Sequence, residues 1–258
     1  MPQHWIDQPQ VLFNPSARTN PSVRTKSEEL ILMSSPAGYP ARVDASLDPV
    51  LSRWRWLVKW LLLIPHFVVL IFLWIAFILC TVVAFFAILF TGRYPRGIFD
   101  FNVGVLRWTW RVAYYSYNAL ATDKYPPFTL DDVPDYPARL TIDYPERLSR
   151  GLVLIKWWLL AIPHYLIVGV FVGGAGSFGL IGILVLVTGL ILLFTGSYPR
   201  SMFDFVIGLN RWVYRVCAYA ALMTDVYPPF RLDMGGQDPA SVDKAGQFTK
   251  PPSGSVVV

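Results

Sequence analysis

Between Lys59 and Arg93 no residue carries a fixed charge, and the uncharged run between Lys156 and Arg200 is longer still. A membrane-crossing helix needs roughly 20 apolar residues, and even about 18 in a row point to lipid before a buried core helix. These two runs therefore dictate a membrane protein. Composition agrees, because 54% hydrophobic residues, 15% charged residues and ten tryptophans lie outside the range of soluble domains. Tyrosine and cysteine aside, the only titratable groups inside the runs are His66 and His164. Residues 1–38 and 234–258 are rich in Pro, Ser, Gly and Gln, bury too little apolar surface to offset their ordering entropy, and are expected to be disordered tails. No early basic-then-apolar leader is visible, so insertion is expected to be directed by the internal runs. Cys80 and Cys217 stand far apart and suggest neither a disulfide nor a metal site.

The chain also repeats itself at a displacement of about 100 residues. Tyr39-Pro-Ala-Arg42 returns as Tyr136-Pro-Ala-Arg139, and Leu51-Ser-Arg53 as Leu148-Ser-Arg150. Lys59-Trp60 with Pro65-His66 returns as Lys156-Trp157 with Pro163-His164. The turn Thr91-Gly-Arg-Tyr-Pro-Arg96 returns as Thr195-Gly-Ser-Tyr-Pro-Arg200, followed in each copy by Phe-Asp-Phe, Arg-Trp and a further Arg. Thr122-Asp123 and Tyr125-Pro-Pro-Phe128 return as Thr224-Asp225 and Tyr227-Pro-Pro-Phe230. The order of so many matches divides the chain into repeats at 39–130 and 131–233.

The Pro-His pair, the Thr-Gly-x-Tyr-Pro-Arg turn and the Phe-Asp-Phe with its following Arg-Trp resemble the membrane family catalogued as domain of unknown function 4389. The resemblance covers both repeats. It implies a bacterial, actinobacterial, multi-pass membrane protein, and it brings no catalytic residue with it.

Lys and Arg favour the cytoplasmic side of a membrane. Here Arg53, Arg55 and Lys59 precede the first run and Arg93 and Arg96 follow it, while Arg147, Arg150 and Lys156 precede the second and Arg200 follows it. Both ends of each run are then expected on the cytoplasmic side, with both termini, so each run reads as a transmembrane helical hairpin. The second would reverse at Gly173-Gly-Ala-Gly-Ser177 and the first near Phe72 to Ile75. Gly92 and Gly196 read as helix stops. The third element of each copy, 98–120 and 202–222, places Asp100, Gly104, Arg107 and Arg111, or Asp204, Gly208, Arg211 and Arg215, on one stripe of an otherwise apolar helix. Such a helix is expected to lie in the interface with its arginines on lipid phosphates, the rival being a third spanning helix with a polar cavity. Short cytoplasmic strands are expected at Ala41–Val43, Phe128–Leu130, Arg139–Ile142 and Phe230–Leu232. The fold class is thus all-α, with a few short strands.

Four groups are candidates for chemistry. Arg107, Arg111, Arg211 and Arg215 are the lipid-phosphate candidates. His66 and His164 mark either a pathway or the repair of a proline kink, because proline frees a carbonyl one turn back. Asp100 and Asp204 read as first-turn carboxylates favoured by the helix dipole, or as proton-coupling groups. No nucleophile elbow, phosphate loop, zinc motif or dinucleotide fingerprint occurs, so no catalytic residue, metal or cofactor is expected. A net charge of +5 tracks the membrane boundaries and points to anionic lipids as partners in a plasma membrane, with no nucleic acid. The leading expectation is a non-enzymatic, lipid-interacting or membrane-organising protein. A small transporter or lipid-moving protein with a route lined by the histidines and the Asp/Arg stripes is the second, and an intramembrane lipid-modifying enzyme the third. The residues leave open which lipid, solute or partner is bound and what the oligomeric state is.

Overall fold

The computed structural model describes residues 38–173 and 179–241. The first repeat supplies β1 (Ala41–Ala45), α1 (Ile64–Thr91) and α2 (Arg96–Tyr115). The second supplies β2 (Ala138–Ile142), α3 (Ile162–Val172), α4 (Leu180–Thr195) and α5 (Arg200–Ala220). Two of the four expected strands form. Phe128–Leu130 and Phe230–Leu232 are irregular and cross the faces of α2 and α5 instead.

The first apolar run does not reverse. α1 is one helix of 28 residues, about 42 Å long at 1.5 Å per residue. Nothing between Phe72 and Ile75 breaks it, since no glycine or proline follows Pro65 until Gly92. Pro65 sits in the opening turn, where its missing N–H costs nothing, and Gly92 ends the helix at φ 71° with its amide on the Ile88 carbonyl at 2.8 Å. Gly196 closes α4 in the same way at φ 74°. The expected reversal in the second run falls largely on residues 174–178, outside the described residues. Their flanks nevertheless exclude a hairpin. Lys156 meets Asp225, His164 and Phe171 meet Trp212, and Thr188 meets Tyr198, so partner positions fall steadily as the chain advances. α3 and α4 therefore follow one another along α5 as α1 follows α2, and Gly179 sits against the backbone of Val172 and Gly173. The hairpin in each repeat is instead the long apolar run followed by the amphipathic helix.

The repeats are related by a pseudo-two-fold axis. β1 and β2 pair antiparallel with Ala41 opposite Ile142, Val43 opposite Leu140 and Ala45 opposite Ala138. Val43 and Leu140 are equivalent positions of the two copies, and so are Trp110 and Tyr214, whose rings meet at 5.3 Å. Contacts then come in exchanged pairs. The Tyr94 hydroxyl donates to the Ala221 carbonyl and the Tyr198 hydroxyl to the Ala119 carbonyl. Arg107 Nε donates to the Leu140 carbonyl at 3.0 Å, and Arg211 Nε to the Val43 carbonyl at 3.1 Å. Each repeat's arginine holds the other repeat's strand.

These contacts define three layers along the axis. The arginine stripe and Gly104 of α2 face the sheet and the exit segment, where a Cβ on Gly104 would stand 2.8 Å from Leu130 Cβ. Two hundred degrees around the helix, Asn102 and Thr109 face α1, bonding Thr81 and Trp74 at 3.2 Å each. The sheet with its exit segments is one layer, α2 and α5 the buried middle, and α1 with α3 and α4 the opposite layer. Residues 234–241, assigned from composition to the tail, belong to the first layer. Asp238 is buried there between Arg211 and Arg215, and the Ala45 amide bonds the Gly236 carbonyl at 2.8 Å. The rest of both tails lies outside the described residues.

Tyr94, in the turn between α1 and α2, accepts from Asn102 Nδ2 at 2.9 Å and is fully buried. Burial pushes its phenol up to about 12, against the opposing bond from Asn102. A folded-state value above the unfolded one means that stability present below about pH 10 is lost as the pH rises through that range toward 12. Denaturant melts at about pH 8 and about pH 11 are therefore expected to show a smaller alkaline loss for Tyr94→Phe than for the native chain, by about 1.4 kcal/mol. Equal slopes would exclude Tyr94 from the transition.

Candidate membrane interface

The layer of long helices turns an apolar face outward. Along α1, Ile64, Phe67, Ile71, Phe72, Ile75, Ile78, Val82, Phe86 and Phe90 are exposed, with Phe72 at 67% and Phe90 at 72%. Leu166, Val170, Ile183, Leu186, Leu190 and Phe194 continue the face in the second repeat. An exposed apolar surface this extensive marks a face for a membrane or another apolar partner. Its ends carry exposed Trp54, Trp60, Trp157 and Trp158, rings that favour the headgroup level, beside exposed Arg53, Arg55, Arg93, Arg96, Arg147, Arg150 and Arg200. α1 is long and apolar enough to cross a membrane, and Leu152–Leu160 with Ile162–Val172, bent by 43°, passes the same test as a pair.

Each long run starts from a break that the repeated motifs repair. The break before α1 frees the Leu62 carbonyl, and the Tyr125 hydroxyl donates to it at 2.9 Å; Tyr227 does the same for Leu160 at 3.1 Å. Tyrosines of the Tyr-Pro-Pro-Phe segments, and not the histidines, mend these carbonyls. His66 has another task. Its Nδ1 accepts from Trp108 Nε1 at 3.0 Å while its ring stacks on Phe128 at 3.8 Å. His164 repeats this with Trp212 at 3.1 Å and Phe230 at 4.3 Å. An indole N–H only donates, so Nδ1 is unprotonated and each imidazole is neutral in this arrangement. The boxes around the two histidines share no residue. Replacing His66 with Gln keeps an acceptor for Trp108 but loses the stacked ring, so a loss of about 1 kcal/mol is expected in denaturant melts. A loss above about 3 kcal/mol would show that the ring has a further partner.

Lys59 and Lys156 are the most deeply buried ammonium groups among the described residues. Lys59 Nζ donates to the Thr122 carbonyl at 2.6 Å and pairs with Asp123 at 3.1 Å; Lys156 meets the Thr224 carbonyl at 3.1 Å and Asp225 at 2.7 Å. Burial lowers the Lys59 pKa and Asp123 opposes it. The other oxygens of Asp123 and Asp225 accept the Ser52 and Ser149 amides, tying the Leu-Ser-Arg turns to the Thr-Asp motifs.

The structure brings three of the four striped arginines inside and half-buries Arg107 against the Leu140 carbonyl. Arg111, Arg211 and Arg215 are at most 2% exposed. Arg111 donates to the Asp131 and Thr129 carbonyls. Arg211 donates to the Val43, Asp233 and Gly235 carbonyls and pairs with Asp238 at 3.0 Å, and Arg215 pairs with Asp233 at 2.6 Å and Asp238 at 3.1 Å. Desolvation lowers the Arg211 pKa, and Asp238 opposes that. This differs from a headgroup-facing stripe for a physical reason: the strand of the other repeat and the exit segments supply the acceptors that phosphates were expected to supply. α2 and α5 accordingly form the buried centre instead of lying on the surface. Asp100 and Asp204 point elsewhere. Both helices begin at Arg96 and Arg200, which puts these carboxylates in the second turn and not the first, paired with those arginines at 3.1 and 3.5 Å on the surface. His66, His164 and the two carboxylates therefore share no cluster.

With this geometry in place, the motifs can be compared with known proteins. A family model described as domain of unknown function, DUF4389, matches residues 53–129 and again 157–231. The chain belongs to this family. Both DUF4389 copies are present in tandem, and each matched segment begins beside the buried lysine turn and ends just beyond the Tyr-Pro-Pro-Phe box. The strands β1 and β2 lie outside the matched DUF4389 segments, although they join the two copies. No curated protein and no solved structure matches the chain.

Sequence reasoning missed the two buried Lys–Asp pairs, although both members of each recur in the repeat and could have been paired on that ground. It also missed Asp238, whose Gly- and Pro-rich neighbours concealed a core residue.

Proposed function

We propose that this protein lies within one leaflet of a cell membrane, on its cytoplasmic side, and organises lipid there without catalysing a reaction. The observation that carries this reading is the separation of faces along the pseudo-two-fold axis. α1, α3 and α4 present apolar side chains, while the opposite layer exposes Arg139 and Arg231 beside the sheet, with Asp132 half-buried against Arg139. Those charges lie over the middle of α2 and α5, so an upright molecule would carry them to mid-bilayer depth, at a cost of several kcal/mol each. A molecule lying flat keeps them in water. Flat packing also accounts for basic residues at both ends of each apolar run, since both ends then sit at one headgroup level. Two long helices in a single leaflet act as a wedge and expand that leaflet.

The length of α1 favours a second reading, in which it spans the bilayer as part of a multi-pass protein. Sidedness separates the two. In a background with Cys80 and Cys217 replaced by alanine, Arg55→Cys and Arg93→Cys bracket α1. Membrane-impermeant maleimide on intact cells is expected to spare both, and on inverted vesicles to label both. Labelling of the two positions from opposite sides would establish the spanning reading and end the flat one. A transporter role draws no support from two histidines held in separate aromatic boxes.

A further inference from the structure

The duplication makes each half of the molecule a control for the other, and the halves differ at one place. Thr91, Gly92, Arg93, Arg147, Leu148 and Arg150 surround a cavity of about 430 Å³. Three guanidinium groups line it, and among the described residues none of the three side chains makes a hydrogen bond or ion pair with the protein. Like charges gathered in this way repel unless an anion joins them. The equivalent positions in the other half are Thr195, Gly196, Ser197, Val50, Leu51 and Arg53, which retain a single arginine.

A second cavity, of about 530 Å³, runs beside α1 and is lined by Trp74, Phe77 and Phe85 with Trp157, Cys217 and Leu222. Here too the halves differ. Trp56 packs on Gly189, where an added Cβ would stand 3.3 Å from the indole, and the Tyr117 hydroxyl bonds the Trp56 carbonyl at 2.7 Å. The residues equivalent to Trp56 and Gly189 are Val153 and Phe85, and Tyr117 and Asn118 have no counterpart between Ala220 and Ala221. The open groove and the arginine cavity belong to the same helix. Five residues, about 8 Å along the axis, separate Phe86 from Thr91, and the groove from Trp74 to Phe86 is about 18 Å long. An acyl chain long enough to fill one leaflet's hydrocarbon measures about 15 Å, so a groove of this length takes one chain laid along α1.

We propose that the molecule holds one anionic phospholipid, its phosphate between Arg93, Arg147 and Arg150 and one acyl chain in the groove between α1 and the end of α5. The proposal rests on the membrane reading above, but its test does not depend on how the molecule sits in a bilayer. The full chain, purified in neutral detergent, is titrated with phosphatidylglycerol and with phosphatidylcholine, and bound lipid is counted by native mass spectrometry. One phosphatidylglycerol per chain is expected. Arg93→Ser with Arg147→Val copies the other half onto this one at two exposed positions and is expected to weaken that binding by about 30-fold, with phosphatidylcholine unaffected. Ala220→Trp, at the groove, is expected to lower phosphatidylglycerol binding while leaving glycerophosphate binding unchanged. Unchanged binding in the double arginine variant, or an equal loss in Arg53→Gln, overturns the site. If glycerophosphate binds as tightly as the whole lipid, the cavity takes a free phosphate only and the proposal fails. Failure here with both ends of α1 on one side would leave the membrane reading intact, whereas ends on opposite sides would remove that reading whatever lipid is counted.

Discussion

Replacing Asp238 with alanine is expected to destabilise the protein by about 3–5 kcal/mol, because it leaves the buried Arg211 without a carboxylate and Arg215 with Asp233 alone. Asp238 is fully buried and pairs with Arg211 at 3.0 Å and Arg215 at 3.1 Å, while its Oδ2 also accepts the Val43 amide at 3.2 Å. The loss is therefore of the Arg211 counter-charge, one of the two Arg215 carboxylates and one strand bond together. Asp100→Ala is the matched control. Its carboxylate pairs with Arg96 at a similar 3.1 Å, but both side chains are more than half exposed, so solvent screening leaves a change within about 0.5 kcal/mol. Denaturant unfolding in mild detergent, followed by tryptophan fluorescence, reads both. An Asp238→Ala variant as mild as Asp100→Ala would mean that the arginines are not held from the C-terminal side.

The second large effect is expected at a glycine. Gly104 lets Leu130 cross α2 closely enough for the Thr129 and Asp131 carbonyls to reach Arg111; a Cβ there would meet Leu130 Cβ at 2.8 Å and its carbonyl at 3.1 Å. Gly104→Val is expected to cost about 3 kcal/mol, since backbone has to move and the arginine loses acceptors with it. Gly208 is the equivalent position, yet its nearest neighbour is the flexible Leu232 Cγ at 3.2 Å, and the backbone there, the Asp233 carbonyl at 3.3 Å, stands farther off than at Gly104. Gly208→Ala is expected to be near neutral, the mild crowding being offset by the helix preference of alanine over glycine, worth about 1 kcal/mol. Thermal melts of Gly104→Ala beside Gly208→Ala test the pair. Equal melting temperatures would show that the exit segments are not seated as described.

The sequence made the duplication, the glycine stops at Gly92 and Gly196, and the strands at Ala41 and Arg139 legible, because each depends on neighbouring residues. The path of the apolar runs was not. Basic residues at both ends suggest a reversal, although a helix lying along the middle layer has the same signature. The arginine stripe was visible by its period, but period gives a face and not its cover. That cover is a strand of the other repeat, more than thirty positions away for Arg107 and more than 160 for Arg211. The histidines stood out for the same reason that they misled. Their indole partners are 42 and 48 residues distant, and no local rule joins them.

The exchanged arginine-to-strand bonds carry a consequence for a single copy. A single copy would have a strand with no antiparallel neighbour and a buried-type arginine with no carbonyl to meet, so it has no complete interior of its own. Two identical copies related by a true two-fold would satisfy every one of those groups. A lone copy is then expected to be complete only as a homodimer, an arrangement that the tandem chain holds within one polypeptide. Holding both copies in one chain removes the concentration dependence of assembly and lets the two halves differ, as Arg147 and Val50 do, which a symmetric dimer cannot.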